Sequence, residues 1–208
     1  MAISFNKITK ILLFILVAII VSTAILKLAR SDFFHKSKPV MTAKIKTPKP
    51  VNADLSSIFS QAETLVIQNR LDEALELYQS VLAQNQNSAR LHNDMGYLLF
   101  KKNLLQDSEK HLILAIELDP ACSECNNNLG ILRTRQGRAL EAERNFKEAI
   151  ILNDGLPEPY FNLGVLYEKN GDTGNAITSY RDFLKHAPDK NSLTYVQVEN
   201  RILNLTGK

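Results

Sequence analysis

The segments NNLGILRTRQGRALEAERNFKEAIILND (127–154) and FNLGVLYEKNGDTGNAITSYRDFLKHAPD (161–189) decide the fold. Each contains a glycine after a large apolar residue, and the two segments align at an offset of 34 residues. The same spacing extends upstream, where one alanine stands in place of the glycine: the column is Ala62, Gly96, Gly130 and Gly164. A fixed period of this length indicates a stack of structural repeats.

Further columns keep the same spacing, and most are uniform in residue size. One column holds the turn-forming residues Asn103, Gly137 and Gly171. The small column is Ala74, Ser108, Ala142 and Ala176, and the large column is Tyr78, Leu112, Phe146 and Tyr180. The uniform size of these columns indicates that each position has the same packing role in every repeat.

This pattern resembles the tetratricopeptide repeat, a helix–turn–helix unit of 34 residues, over about residues 54–188. The resemblance implies four repeats, in approximate windows 55–88, 89–122, 123–156 and 157–190. The first repeat is degenerate, because Gln61 stands where the family prefers an apolar residue and Ala62 replaces the glycine. We therefore predict an all-α fold, a tetratricopeptide α-solenoid. In such a repeat we expect the first-helix glycine to let the second helix approach closely, and the large side chain of the second helix to fill the space beside the next repeat.

The last repeat of such an array needs a cap, and residues 191–205 are predicted to form a capping helix. Asn191 or Ser192 is expected to cap its N-terminus. Four apolar residues are expected to face inward: Leu193, Val196, Ile202 and Leu205.

A different kind of sequence precedes the repeats. A basic N-tail (1–10) is followed by a predicted transmembrane anchor (11–27), whose stretch ILLFILVAIIVSTAIL carries no charge. The stretch would span roughly 24 Å as a helix, slightly short of a ~30 Å hydrocarbon core. A cleaved signal peptide is the alternative, with Ser22 and Ala24 at cleavage spacing, but the apolar run continues past that point. Residues 28–53 form a basic linker rich in proline and lysine.

Charge divides the chain in the same place. Residues 1–53 carry nine lysines and arginines against one acid, whereas the remainder carries 16 against 21. The acidic repeat region argues against nucleic acid as a partner, because phosphate binding needs clustered positive charge. The short N-tail favours a bacterial inner-membrane protein with its repeats in the periplasm. The lysines that follow the anchor favour a cytosolic repeat domain instead.

Catalytic chemistry is not indicated. The four histidines fit no metal or triad pattern, no phosphate-binding glycine loop is present, and we predict no enzyme, no metal and no cofactor. The only cysteines, Cys122 and Cys125, cannot supply four zinc ligands within one chain. They stand near the start of the third repeat. Three roles are open for them: small filler residues, a local disulfide, or a reactive thiol pair.

The resemblance also implies a binding surface, because the first helices of such repeats line a concave groove. Asn128 and Asn162 occupy equivalent slots, and in relatives that hold extended peptides asparagines in this slot bind the ligand backbone. The expected groove residues are Asn93, Asp94, Tyr97, Lys101, Asn127, Asn128, Arg135, Phe161, Asn162 and Lys169. Ile131 and Val165 project from the same helices.

Three functions follow as hypotheses. The leading one is a membrane-anchored adaptor that binds a protein or peptide partner in the groove, in the assembly of a membrane or envelope complex. The second is a thiol redox or metal-handling factor that uses Cys122 and Cys125. The third is a scaffold that associates with copies of itself.

Overall fold

The computed structural model describes residues 55–207, so the predicted N-tail, anchor and linker lie outside the described residues. Within 55–207 the chain forms nine α-helices and no strand, which confirms the all-helical solenoid. The helices are α1 (Leu55–Ile67), α2 (Leu71–Leu82), α3 (Ala89–Lys101), α4 (Leu105–Leu118), α5 (Ser123–Arg135), α6 (Ala139–Leu152), α7 (Pro157–Lys169), α8 (Thr173–His186) and α9 (Leu193–Thr206). Over this part of the chain no helix combines the length and the apolar character needed to cross a bilayer.

The helices pack in consecutive pairs, and each pair packs on the next. The pairs are α1 with α2, α3 with α4, α5 with α6 and α7 with α8, while α9 packs on α8. First helices also meet across repeats, because α5 contacts both α3 and α7. Each pair therefore buries its apolar surface mainly against its neighbours, as expected of a one-dimensional stack.

The glycine column brings the two helices of a pair together. A Cβ atom on Gly130 would lie 2.5 Å from Cε1 of Phe146, and one on Gly96 would lie 2.7 Å from Cγ of Leu112. Gly164 meets the Tyr180 ring in the same way. The large residue of each second helix thus packs on the glycine of its own repeat. The expectation from the sequence, that this residue fills the space beside the next repeat, did not include this contact.

The turn between the helices of each pair uses left-handed backbone. Asn69, Asn103, Gly137 and Gly171 have φ values of 59°, 61°, 77° and 78°. Asparagine and glycine adopt this conformation at low cost, which explains why this column holds only those two residue types. Asn69 extends the column into the first repeat.

The small column is fully buried, and its one serine is satisfied inside the fold. Ala74, Ala142 and Ala176 are completely inaccessible, as is Ser108. The Ser108 hydroxyl donates a 2.7 Å hydrogen bond to the carbonyl oxygen of Gly96. A hydroxyl is tolerated here because a backbone acceptor lies directly opposite it.

The capping helix α9 packs in a different register from the one expected. Its inward face is centred on the fully buried Val198, with Ile202 and Leu205 beside it. Leu193 and Val196 are 74% and 44% exposed, so the prediction that they face inward was wrong. They lie on the opposite side of the helix from Val198, because successive residues are rotated by about 100°.

Two polar contacts fix α9 at its start and middle. Ser192 caps the helix by accepting a hydrogen bond from the backbone N–H of Tyr195 at 3.2 Å. Arg201 pairs with Glu168 of α7 at 2.6 Å, and Glu168 also accepts a hydrogen bond from the Tyr180 hydroxyl. These contacts hold the pKa of Glu168 below its usual value.

Candidate binding cleft

A cleft of about 840 Å³ opens between α1, α3 and α5 and reaches the start of α7. Its lining combines carboxylates, amides and apolar side chains. The lining residues are Glu63, Val66, Ile67, Tyr78, Arg90, Asn93, Asp94, Tyr97, Leu98, Glu124, Asn127, Asn128, Leu156 and Glu158. A concave surface of this size, with convergent polar groups among apolar ones, is the usual form of a ligand site.

Half of the residues expected in the groove line this cleft. They are Asn93, Asp94, Tyr97, Asn127 and Asn128. The remaining five do not line it: Lys101, Arg135, Phe161, Asn162 and Lys169. The three basic residues are at the C-terminal ends of their helices, whereas the cleft reaches the helix starts at Arg90, Glu124 and Glu158.

Phe161 packs into the protein and is not an aromatic contact offered to the cleft. Its ring centroid lies 5.6 Å from that of Phe183 and 6.2 Å from that of Tyr180, both on α8. Tyr97 is the aromatic residue that remains 36% exposed in the cleft.

Asparagine side chains join successive first helices. The Nδ2 of Asn128 donates to Oδ1 of Asn93 at 2.9 Å, and the Nδ2 of Asn162 donates to Oδ1 of Asn127 at 2.8 Å. Asn93 and Asn127 are only 5% and 6% exposed. The predicted ligand-binding amides therefore also connect repeats, through partners that stand 35 residues apart along the chain.

One amide in this row, at a residue that lines the cleft, keeps an unused donor. Asn127 lines the cleft, and its Oδ1 is occupied by Asn162. Its Nδ2 donates to no atom of residues 55–207, and it is not among the buried side-chain atoms there that lack a partner, so solvent still reaches it. A nearly buried amide with one open donor is suited to a carbonyl oxygen from a ligand backbone.

Asp94 holds the same slot as Asn128 and Asn162 but carries a carboxyl group. It accepts a 3.3 Å hydrogen bond from the Tyr78 hydroxyl, and Arg90 Nε lies 3.8 Å away. Burial raises the pKa of Asp94 to about 6, against the opposing effects of Arg90, Tyr78 and Asn93, and the charge of Glu124 raises it further. Burial also raises the pKa of Tyr78, with the Asp94 charge adding to the effect.

The sequence reasoning named Asp94 but missed the three glutamates of the cleft, Glu63, Glu124 and Glu158, although the period contained the signal for two of them. Arg90, Glu124 and Glu158 stand 34 residues apart, each one helical turn before the slot of Asp94, Asn128 and Asn162. Residues four apart share a face of a helix. Glu63 comes from α1 and forms a 3.1 Å ion pair with Arg90.

The cysteine pair forms a disulfide at the start of α5. Cys122 and Cys125 are linked, with their Cα atoms 5.3 Å apart. Cys122 is also the N-cap, because its Sγ accepts the backbone N–H of Cys125 at 3.1 Å. Of the three alternatives left open by the sequence, the local disulfide is the one the structure shows, and residues 55–207 contain no free thiol.

Two histidines form a polar contact inside the second repeat. The Nδ1 atoms of His92 on α3 and His111 on α4 lie 2.9 Å apart, and His92 Nε2 lies 3.0 Å from the carbonyl oxygen of Gln86. A carbonyl only accepts, so Nε2 of His92 donates to the Gln86 carbonyl oxygen. Burial lowers the pKa of His111, and His92 lowers it further. In the described part of the chain no three metal-ligating side chains converge.

Comparison with known families now identifies the repeats. A family model described as "TPR repeat" matches residues 62–103, and one described as "Tetratricopeptide repeat" matches residues 157–190. The chain carries tetratricopeptide repeats. Such repeats are generally modules for protein interaction. No curated protein matches the sequence at a significant level.

Solved structures share the fold at low identity, and one of them is titled a TPR protein. The thermophilic protein TTC0263 of Thermus thermophilus is 20% identical, with a TM-score of 0.64 over 74% of this chain and 82% of that one. PilW, titled a type IV pilus biogenesis factor, is 20% identical with a TM-score of 0.64 over 73% and 70%. Pseudomonas aeruginosa PilF is 20% identical with a TM-score of 0.60 over 73% and 68%.

Proposed function

We propose that this protein is a membrane-anchored adaptor that holds an extended segment of a partner protein in the cleft of its tetratricopeptide repeats. The observation that carries the proposal is the asparagine row. Asn127 presents an open donor in the cleft, and its acceptor is held by Asn162. The bond from Asn162 fixes the orientation of the Asn127 amide before a ligand arrives, which lowers the ordering cost of binding.

The membrane setting is part of the same proposal. The uncharged stretch 11–26 would anchor the chain, and the basic linker would tether the repeats to the bilayer. Likeness to PilW supports a role in assembling an envelope complex, since that protein is described as a pilus biogenesis factor. The favoured location is the periplasmic face of a bacterial inner membrane. The disulfide of Cys122 and Cys125 agrees with an oxidising compartment.

Site-specific cross-linking tests the cleft without assuming a partner. A photoreactive phenylalanine analogue replaces Tyr97 in the full-length chain, and a matched chain carries it at Glu148, which is exposed on α6 and outside the cleft. We expect a defined protein adduct from position 97 that is absent from position 148. Equal adducts from both positions, or none from position 97, would contradict the adaptor proposal.

Fractionation tests the anchor separately. The full-length chain is expected in the membrane fraction, and a variant lacking residues 1–27 in the soluble fraction. A reporter fused after Lys208 would be active only on the side of the membrane that holds the repeats. Membrane recovery of the truncated variant would contradict anchoring through residues 11–27.

Self-association is a second candidate, favoured by one observation. Leu193, Val196 and Leu203 of α9 are 74%, 44% and 49% exposed on the side of the helix away from α8. Sedimentation of the full-length chain with Leu203→Asp tests this surface, with Ile151→Asp on α6 as the matched control. We expect only the α9 variant to shift to a smaller species.

A further inference from the structure

We infer that the cleft takes an extended peptide segment bearing lysine or arginine side chains, an inference that rests on the proposed function and specifies its partner. The evidence comes from the charge of the cleft, the absence of ion-pair partners for two carboxylates, and the open amide of Asn127.

The cleft carries a clear excess of acid. Four carboxylates line it, and Arg90 is the one basic residue among the lining residues. Arg90 is already engaged, because it pairs with Glu63 at 3.1 Å, lies 3.8 Å from Asp94, and stacks 4.0 Å above the Phe59 ring centroid. It therefore cannot neutralise Glu124 and Glu158.

Glu124 and Glu158 have no ion-pair partner of their own. Both are exposed, and neither forms a salt bridge with any residue of 55–207. They stand in the first turns of α5 and α7, where the helix dipoles stabilise carboxylates. This stabilisation leaves both carboxylates free to pair with a cation. The basic residues Lys101, Arg135 and Lys169, which the sequence placed in the groove, do not line the cleft.

The amide of Asn127 supplies the contact that identifies the ligand as a peptide. The residue is only 6% exposed, and its open Nδ2 can donate to a backbone carbonyl. Glu124 lies three residues earlier on the same helix, so the two groups share one face of α5. A segment whose backbone bonds to Asn127 can thus place a cationic side chain against Glu124.

The apolar part of the lining suits the stems of long basic side chains. Val66, Ile67, Tyr97 and Leu98 lie beside the carboxylates, and Ile67 is 85% exposed. Lysine and arginine bury their methylene stems on apolar surface while the charged end stays with an acid. The combination of acidic and apolar lining fits a basic segment better than a purely apolar helix.

The test uses three short synthetic peptides of equal length and the same proline and alanine frame. They carry lysine, glutamine or glutamate at alternate positions, and each is titrated by fluorescence anisotropy into the full-length chain at low ionic strength. We expect the lysine peptide to bind more tightly than the glutamine peptide, and the glutamate peptide not to bind. Added salt should weaken the binding of the lysine peptide more than the binding of the glutamine peptide.

A matched pair of charge variants identifies the cleft as the source of this preference. The double variant Glu124→Gln/Glu158→Gln should lower the affinity for the lysine peptide roughly five- to tenfold, because each exposed ion pair contributes modestly to binding. Glu117→Gln with Glu148→Gln removes the same charge from exposed sites on α4 and α6, and should change affinity less than about twofold. All four glutamates lack ion pairs within residues 55–207, so we expect both variants to fold, and circular dichroism checks this.

The outcomes separate this inference from the adaptor proposal. Equal affinity for the lysine and glutamine peptides, or equal weakening by both variant pairs, would overturn the basic-segment inference. If cross-linking at Tyr97 persists in that case, the adaptor proposal still stands. If position 97 captures no partner and no peptide binds, both are wrong.

Discussion

The inner and outer repeats differ at one column that lies along the first helices: Phe59, Asn93, Asn127 and Phe161. In the inner repeats the asparagines accept hydrogen bonds from the next first helix, at 2.9 and 2.8 Å. In the outer repeats the phenylalanines pack on the tyrosine of their own repeat, with centroids 5.8 and 6.2 Å apart. The same backbone position thus serves packing at the ends and polar recognition in the middle.

The physical cause is whether the following helix offers a hydrogen-bond partner. An inner asparagine has an amide from the following repeat to satisfy it, whereas Phe161 is followed by the capping helix and Phe59 by Asp94, which bonds to Tyr78 instead. Burying an amide without a partner is costly, and an aromatic ring needs none. The comparison predicts that an asparagine placed at an end position lowers the free energy of unfolding substantially.

The largest effect is expected when an outer repeat is given the inner residue. Phe59→Asn removes a ring that is 6% exposed, packs on Tyr78 and lies beneath Arg90, and it buries an amide without a partner. We expect the free energy of unfolding to fall by about 3 kcal/mol, measured by urea unfolding followed by circular dichroism. Tyr97→Asn, at a position 36% exposed, is the control and should cost less than about 1 kcal/mol. Similar losses in both variants would show that the outer ring is not a packing element.

A second prediction tests a feature that inner and outer repeats share. Gly130→Ala and Gly164→Ala each force a methyl group into a buried ring, Phe146 or Tyr180, and should each lower stability by about 2 kcal/mol. Gly174→Ala is the matched control, since its Cβ would meet only an Asp172 oxygen at 3.9 Å. That change in an exposed helix should stabilise by up to about 1 kcal/mol. A large difference between the first two variants would mean that glycine packing also separates inner from outer repeats.

The third prediction makes the second repeat resemble the third and fourth. Asp94→Asn removes a carboxyl group whose pKa is raised by burial to about 6 from its ordinary 3.8. An acid with a raised folded pKa binds more protons folded than unfolded, so its contribution falls as pH rises from about 4 to about 6. We expect the variant to be more stable at neutral pH by about 1 kcal/mol, with a flatter pH dependence over that window.

Thermal unfolding measured between pH 4 and pH 7 checks the Asp94 prediction. Asp182→Asn on α8 removes a carboxyl group outside the cleft lining and serves as the control, which should not reproduce the change seen in Asp94→Asn. Loss of stability in Asp94→Asn at neutral pH would show that the contacts with Arg90 and Tyr78 outweigh the cost of burial.

The smallest effect is expected from the asparagine bridge itself. A double-mutant cycle of Asn127→Ala and Asn162→Ala should give a coupling energy of about 1 kcal/mol, because the 2.8 Å bond is partly reached by solvent. Asn175 on α8 bonds within its own cap to Asp172, so a cycle of Asn127 with Asn175 should give no coupling. A coupling energy near zero in the first cycle would show that the asparagines of the row act independently of one another.

Much of the fold could be read from the period alone. The small residue Gly130 and the large residue Phe146 occur together in a repeat, because Phe146 packs where a side chain at position 130 would lie. The left-handed turns could be read from asparagine and glycine at their column. Of the ten residues expected in the candidate site, five line the cleft, while the basic column, Phe161 and Asn162 do not.

The sequence by itself determined the repeat length, the helix pairs and the glycine packing, because these depend on contacts within a repeat that recur at a lag of 34. Only the tertiary structure decided the contacts between repeats, such as Asn93 with Asn128 at a lag of 35. Those contacts join unlike positions, and which positions meet depends on how each repeat is rotated against the next. The same rotation brings Glu63, Asp94, Glu124 and Glu158 into one cleft, and it sets the register in which Val198 of α9 closes the stack.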